Sequence, residues 1–114
     1  MRGLILALDC NNKLPLLQKM QKPSISIIIP VYNGSKTIDK CVSSLKAQTL
    51  KQCEFIFVDD CSTDDTVEKL TSLTQDDNRF IILRQEKHFD PFQTRKRGIA
   101  TATGEYIMFL DADD

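Results

Sequence analysis

Glu54-Phe-Ile-Phe-Val-Asp-Asp-Cys-Ser-Thr-Asp-Asp65 joins a short apolar run to a polar segment rich in carboxylates. The apolar run is rich in aromatic and β-branched residues, which is typical of a strand buried on both faces. The polar segment after it is rich in residues that begin helices. A buried strand followed at once by a helix is the repeating unit of parallel sheets.

The same change from apolar strand to polar turn to helix recurs along most of the chain. Strands are predicted at 24–29, 54–58, 80–83 and 105–110, and apolar positions at helical spacing predict helices at about 38–48, around 67–73 and at about 92–103. The chain is therefore predicted to have an α/β fold, a Rossmann-like, mostly parallel sheet with helices on both faces.

Several local features set expectations for the ends of these elements. Pro30 is expected to stop the first strand, because proline lacks the N–H that a ladder needs. Ser62 and Asp65 have the spacing of a capping box at the start of the second helix, and Ser62 or Asp64 is the expected capping residue. Ile99 and Ala100 are expected to face the core from the third helix.

Three polar segments leave strands at what should be one edge of the sheet. Right-handed crossovers place the carboxyl ends of parallel strands on one rim, where ligands of such sheets bind. The segments are 30–34, 59–65 and 111–114. We therefore expect them to cluster and to form the functional site.

The closing stretch, Gly104-Glu-Tyr-Ile-Met-Phe-Leu-Asp-Ala-Asp-Asp114, ends a predicted strand in Asp-x-Asp. Side chains alternate with period two along a strand, so Asp111 and Asp113 should point to the same side. Paired carboxylates suit hard cations such as Mg²⁺ or Mn²⁺ that carry bound phosphates. Asp111 and Asp113 are therefore the predicted metal ligands.

Composition excludes several classes of protein. The 114 residues include 15 basic and 16 acidic side chains, for a net charge of −1, which provides no long-range attraction for nucleic acid. The four cysteines lack paired zinc-site spacing, and there is one histidine, His88, which the sequence alone suggests is an ordinary surface residue.

The amino-terminal segment differs in character from the rest of the chain. Residues 1–23 are interpreted as an extension or linker, and 24–114 as the folded domain. The apolar stretch near Met1 is too short for a signal peptide or a transmembrane segment. The expected location is the cytoplasm, with peripheral association with the inner membrane face left open.

Three motifs together resemble the nucleotide-sugar half of family 2 glycosyltransferases, which have the GT-A fold. They are Ile29-Pro-Val-Tyr-Asn33, Phe57-Val-Asp-Asp-Cys-Ser-Thr-Asp64 and the segment from Ala102 to Asp114, in the same order as in that family. The resemblance covers residues 24–114 and implies a truncated GT-A domain. It also implies binding of a UDP-sugar or another NDP-sugar with Mn²⁺ or Mg²⁺.

The resemblance assigns the base-binding role to two segments. Pro30, Val31 and Tyr32 would line the base pocket, with the aromatic ring against uracil. Asp59 and Asp60 would supply the carboxylate that accepts the N3–H of uracil, and Asp60 is the preferred candidate. An ionised carboxylate is an acceptor only, so it selects for an imide N–H.

The resemblance assigns the ribose, diphosphate and metal roles to the end of the chain. Asp111 and Ala112 would lie against the ribose-diphosphate, and Asp113 would be the more direct metal ligand. Arg95 stands where similar proteins carry an arginine near the donor. Pro91 and Lys96 depart from the glycine and asparagine usual in the family.

In similar enzymes the acceptor site and the catalytic base follow the segment that corresponds to Asp111–Asp114, so no catalytic residue is assigned. The expectation is an incomplete enzyme, inactive alone, for glycosyl transfer to an acceptor hydroxyl. Two alternatives stay open: a non-catalytic nucleotide-binding or assembly module paired with a separate chain that carries the acceptor half, and a truncated inactive remnant.

Overall fold

The computed structural model describes residues 23–49 and 52–112, which contain a four-stranded parallel sheet. Its strands are β1 (Ile25–Val31), β2 (Cys53–Asp60), β3 (Phe80–Gln85) and β4 (Tyr106–Phe109), and its helices are α1 (Ile38–Lys46), α2 (Thr66–Thr74) and α3 (Pro91–Thr101). The strand order is β3-β2-β1-β4, and every neighbouring pair is parallel. The predicted α/β fold class is confirmed.

Odd-numbered residues of the two central strands face α1 and α2. Because side chains alternate along a strand, one face of the sheet collects every second apolar residue. The buried cluster on this face consists of Ile29, Val31, Cys53, Phe55 and Phe57 from the strands, Ile38, Cys41, Val42 and Leu45 from α1, and Leu70 from α2. This cluster is the main core.

Even-numbered residues of the same strands face α3. Ile28, Ile56 and Val58 are fully buried there. The contact with α3 is made at Gly98, where an added Cβ would lie 2.5 Å from Cγ2 of Ile28. The helix therefore packs on the sheet through a residue without a side chain. The prediction that Ile99 and Ala100 face inward was wrong, since both are exposed.

Pro30 lies inside β1 and does not end it, contrary to the prediction. Tyr106 donates its N–H to the Ser24 carbonyl and Leu110 donates to the Ile28 carbonyl, so even-numbered residues of this segment direct their backbone groups toward β4. The pairing with β4 ends at Ile28, whereas the pairing with β2 continues to Val31. A backbone N–H at position 30 would point past the last residue of β1 that pairs with β4. The lack of an N–H in proline therefore breaks no strand pairing.

A buried carboxylate ties the start of β4 to the amino ends of the central strands. Glu54 accepts hydrogen bonds from the hydroxyl of Ser26 at 2.6 Å and from the backbone N–H of Thr103 at 2.7 Å. The Gly104 N–H donates to the same Ser26 hydroxyl at 2.9 Å. These bonds place the turn before β4, and so help to place the carboxyl end of that strand.

Strand β4 forms an exposed edge of the described sheet. Its four residues, all apolar or aromatic, are between 40% and 67% exposed. Within the ranges that the structure describes, no helix has the length and apolar character needed to cross a membrane. Most of the predicted extension, residues 1–22, and the closing pair Asp113 and Asp114 lie outside the described residues.

We predict that Gly98→Ala lowers the free energy of unfolding by about 1–3 kcal/mol, because the new methyl group overlaps Ile28 in a packed layer. At an exposed helix position a glycine-to-alanine change would raise the free energy of unfolding by about 1 kcal/mol. The sign of the measured change therefore shows whether the close contact with Ile28 is present. Urea denaturation measures it. Gln93→Ala, on the exposed side of α3, is the control and should change stability by less than about 0.5 kcal/mol. A stabilised Gly98→Ala variant would contradict this packing.

Candidate functional site

Asp59 is fully buried at the carboxyl end of β2, where its carboxylate holds the following turn. The backbone N–H of Ser62 donates to Oδ2 of Asp59 at 3.0 Å, and the Ser62 hydroxyl donates to Oδ1. The Ser62 oxygen in turn accepts the N–H of Asn33, after β1, at 2.8 Å. Asp59 therefore joins the turns that follow the two central strands.

Asn33 strengthens the same connection from the other side. Its φ of 48° lies in the left-handed region, which asparagine tolerates better than most residues. In this conformation its side-chain oxygen accepts the N–H of Thr63 at 2.8 Å, and the next N–H, of Gly34, donates to the Thr66 hydroxyl at 2.9 Å. The turn after β1 is thus held in place by the turn after β2.

Asp64, one of the two residues expected to cap the second helix, holds the start of α2. Asp64 accepts the Thr66 N–H at 3.0 Å and the Thr66 hydroxyl, and this hydroxyl lowers the pKa of Asp64 from its usual value. Asp65 makes no side-chain capping bond and accepts instead from the Ser35 hydroxyl. The predicted capping box of Ser62 and Asp65 was wrong, because Ser62 is engaged by Asp59.

A cavity of about 260 Å³, the first cavity, opens at the rim between β1, β2 and α3. It is lined by Pro30, Val31, Tyr32, Asp60, His88, Phe89, Pro91 and Thr94. The Asp60 side chain is only 14% exposed. Its Oδ1 accepts Gln85 Nε2 at 3.0 Å and the Phe89 N–H at 2.9 Å, while Oδ2 lies 3.0 Å from His88 Nδ1.

His88 was not predicted as a site residue, yet it lines the first cavity. Its ring centroid is 4.7 Å from that of Tyr32, and its Nδ1 lies beside Asp60. The available signal was topological: the loop after the third strand leaves the same rim as the loops after the first two. Because His88 has no partner nearby in sequence, this contact appears only once the sheet is assembled.

A second cavity, of about 270 Å³, adjoins the first. It is lined by Pro30, Val31, Tyr32, Asn33, Gly34, Thr37, Asp111 and Ala112. The two cavities share Pro30, Val31 and Tyr32, with Asp60 lining one and Asp111 the other. The segments after β1, β2 and β4 therefore meet at one rim, as the parallel topology requires.

Asp59 and Arg95, two of the predicted site residues, line neither cavity. Asp59 is buried and bound to Ser62, so its carboxylate is engaged by protein. The Arg95 guanidinium lies 5.8 Å from the ring centroid of Phe109, and Arg95 is not among the residues that line either cavity.

A metal site is described only in part. Asp111 is exposed and lines the second cavity, whereas Asp113 lies outside the described residues. Across 23–49 and 52–112, no group of three or more histidine, cysteine, aspartate or glutamate side chains is arranged to hold a metal ion. The described part thus offers one suitable carboxylate, which fits a cation that is held mainly by phosphate oxygens and water.

Residues 26–114 match the family model of glycosyl transferase family 2. The chain therefore belongs to this family, as its motifs indicated. It is 40% identical over 90 residues to the glycosyltransferase GlyG of Streptococcus pneumoniae, covering 79% of this chain and 30% of GlyG. It is also 36% identical to the GalNAc(5)-diNAcBac-PP-undecaprenol beta-1,3-glucosyltransferase of Campylobacter jejuni, covering 81% and 30%. The chain spans about 30% of the length of these relatives.

Solved structures agree with this assignment. The chain is similar to S. aureus TarS in complex with UDP-GlcNAc, with a TM-score of 0.74 and 30% identity over 79% of this chain and 26% of that one. A mannosyltransferase from Pyrobaculum calidifontis in complex with GDP-Man and Mn²⁺ has a TM-score of 0.75 at 22% identity, covering 82% and 28%. That second likeness supports the fold alone.

We predict that Ser62→Ala lowers the free energy of unfolding by about 2 kcal/mol. The substitution removes a donor from the buried Asp59 carboxylate and the acceptor of the Asn33 N–H. Ser72→Ala, at an exposed position of α2, is the matched control and should have an effect below about 0.5 kcal/mol. Equal effects of the two substitutions in urea denaturation would show that this bridge does not stabilise the site.

Proposed function

We propose that residues 24–114 are the nucleotide-sugar-binding part of a family 2 glycosyltransferase and that they bind a UDP-sugar. The observation that carries the proposal is the pair of adjoining cavities, which share Tyr32 and present Asp60 on one side and Asp111 on the other. A nucleoside diphosphate needs a site for a heterocycle next to a site for ribose and phosphate, and the two cavities supply adjacent spaces for these parts.

The first cavity is proposed to hold the base. Asp60 Oδ1 already accepts two hydrogen bonds, so Oδ2, which lies beside the exposed His88 ring, is the oxygen proposed to accept the imide N–H of uracil. A carboxylate accepts but cannot donate, which disfavours a ring nitrogen that carries no hydrogen. The exposed Tyr32 ring supplies a flat apolar surface for the base, with Pro30 and Val31 beneath the same cavity.

The second cavity is proposed to hold the ribose and diphosphate. Asp111 and Ala112 line it, and Asp111 with Asp113 would hold Mn²⁺ or Mg²⁺ through carboxylate oxygens. When bound, such a cation supplies Lewis-acid support for the diphosphate leaving group. The Asn33 turn also lines this cavity, and its hydrogen bonds to the turn after β2 hold it in position.

The whole reaction is proposed to be an inverting transfer of the sugar to an acceptor hydroxyl. That hydroxyl needs a base within hydrogen-bond reach, and we assign this role to no residue of the chain. We propose that the acceptor is held by protein outside residues 24–114, in the same polypeptide or in a partner.

Thermal unfolding with UDP and Mn²⁺ tests the base site. At ten times the dissociation constant a ligand stabilises by about 1.4 kcal/mol, so we predict a rise of roughly 5 °C in Tm. Asp60→Asn should abolish most of the rise, because an amide can present a donor to the imide N–H. Glu68→Gln, an exposed carboxylate of α2, is the matched control and should keep it. No stabilisation of the parent chain would contradict the proposal.

The metal role has a separate test. We predict that the stabilisation by UDP is smaller when EDTA replaces Mn²⁺, and that Asp113→Ala removes the difference between the two conditions. Asp76→Ala, a surface carboxylate paired with Lys46, is the control and should leave the difference intact. An equal Mn²⁺ effect in the parent chain and in Asp113→Ala would exclude Asp113 as a metal ligand.

A further inference from the structure

The imidazole of His88 occupies the position in which the proposed function places a nucleobase. Its Nδ1 lies 3.0 Å from Asp60 Oδ2 and 3.1 Å from the backbone carbonyl oxygen of Asp60, and its ring centroid lies 4.7 Å from that of Tyr32. Imidazole is a flat nitrogen heterocycle that can carry an N–H donor, like the base itself. The same two protein groups would thus recognise either ring.

The other oxygen of Asp60 cannot easily serve as a substitute acceptor. Oδ1 accepts from Gln85 Nε2 and from the Phe89 backbone, and Gln85 is itself buried with its amide also donating to the Thr94 hydroxyl at 3.2 Å. These bonds hold the carboxylate in one orientation and leave Oδ2 directed at His88. An incoming ring N–H therefore meets the imidazole at the acceptor it needs.

His88 can leave this position at little structural cost. Its side chain is 61% exposed and sits in the loop between β3 and α3, whereas the Asp60 side chain is mostly buried. The carboxylate is thus a fixed element and the imidazole a movable one. Of the two partners in this contact, His88 is the one that a ligand can displace.

We infer that His88 is an internal competitor of the nucleobase, which lies against Asp60 Oδ2 and the Tyr32 ring in the free protein and swings out when nucleotide binds. This inference rests on the proposed function and identifies a residue that sets its affinity. Nucleotide binding therefore requires that the imidazole leave the carboxylate and the tyrosine ring, which lowers the apparent affinity for the nucleotide.

The lining of the first cavity supports this competition. Asp60 from β2 and the Tyr32 phenol from the segment after β1 are the titratable groups that line the cavity with it, and α3 contributes the uncharged Pro91 and Thr94. On its own loop, Glu86, Lys87 and Asp90 are exposed. The nearest full charge in the cavity is thus the carboxylate for which the base and the imidazole compete.

Calorimetric titration of the parent chain and its variants with UDP-GlcNAc tests the inference. We predict that His88→Ala binds about three- to tenfold more tightly than the parent, because the competing ring is gone. Lys87→Ala, at an exposed position of the same loop, is the control and should bind like the parent.

A second measurement uses the fact that His88 is the only histidine of the chain. Nuclear Overhauser contacts between its ring protons and the Tyr32 ring should be present in the free chain and lost when UDP-GlcNAc is bound. Contacts that persist in the complex, or a His88→Ala variant with weaker or unchanged binding, would overturn the competitor role and leave the nucleotide site standing. If none of the variants binds, the proposed function fails and the inference with it.

Discussion

The buried carboxylate of Asp59 is the constraint on which the arrangement of the rim depends. Asp59 and Asp60 are neighbours at the end of β2, but alternation along the strand sends them to opposite faces of the sheet. Asp59 follows Phe57 into the main core, where an ionised group is stable only with donors, and Ser62 supplies them. Asp60 follows Val58 to the α3 face and reaches the first cavity. A single strand end thus provides one carboxylate for structure and one for binding.

Strand order then determines how the proposed ligand would lie. β1 is between β2 and β4, so the residue that follows it, Tyr32, comes between Asp60 and Asp111 along the rim. The order of base, ribose and diphosphate in a nucleotide can be matched to this order of side chains without any movement of the sheet. The hydrogen bonds of Glu54, at the amino ends of the strands, contribute indirectly. They position the start of β4 and hence the place where Asp111 emerges.

Much of this could be predicted from the sequence, because strands buried on both faces leave an unmistakable apolar pattern and parallel topology brings their carboxyl ends together. What could not be predicted depends on contacts between distant segments. Ser62 resembles a helix cap but is bound by a neighbouring carboxylate, and Pro30 continues its strand because the ladder on its N–H side has already ended. Because α3 contacts the sheet through Gly98, larger residues of this helix face outward. His88 gains its partners only when β2 and the loop after β3 are side by side.

The central claim is that three turns on one rim form a nucleotide site, with the base on the β2 side and the diphosphate on the β4 side. A crystal structure of the chain with UDP and Mn²⁺ tests it most directly. The account predicts uracil against Tyr32 with its imide N–H on Asp60 Oδ2, the diphosphate beside Asp111, and His88 displaced from the cavity. A nucleotide bound away from this rim, or bound there with the base and the diphosphate exchanged, would contradict it.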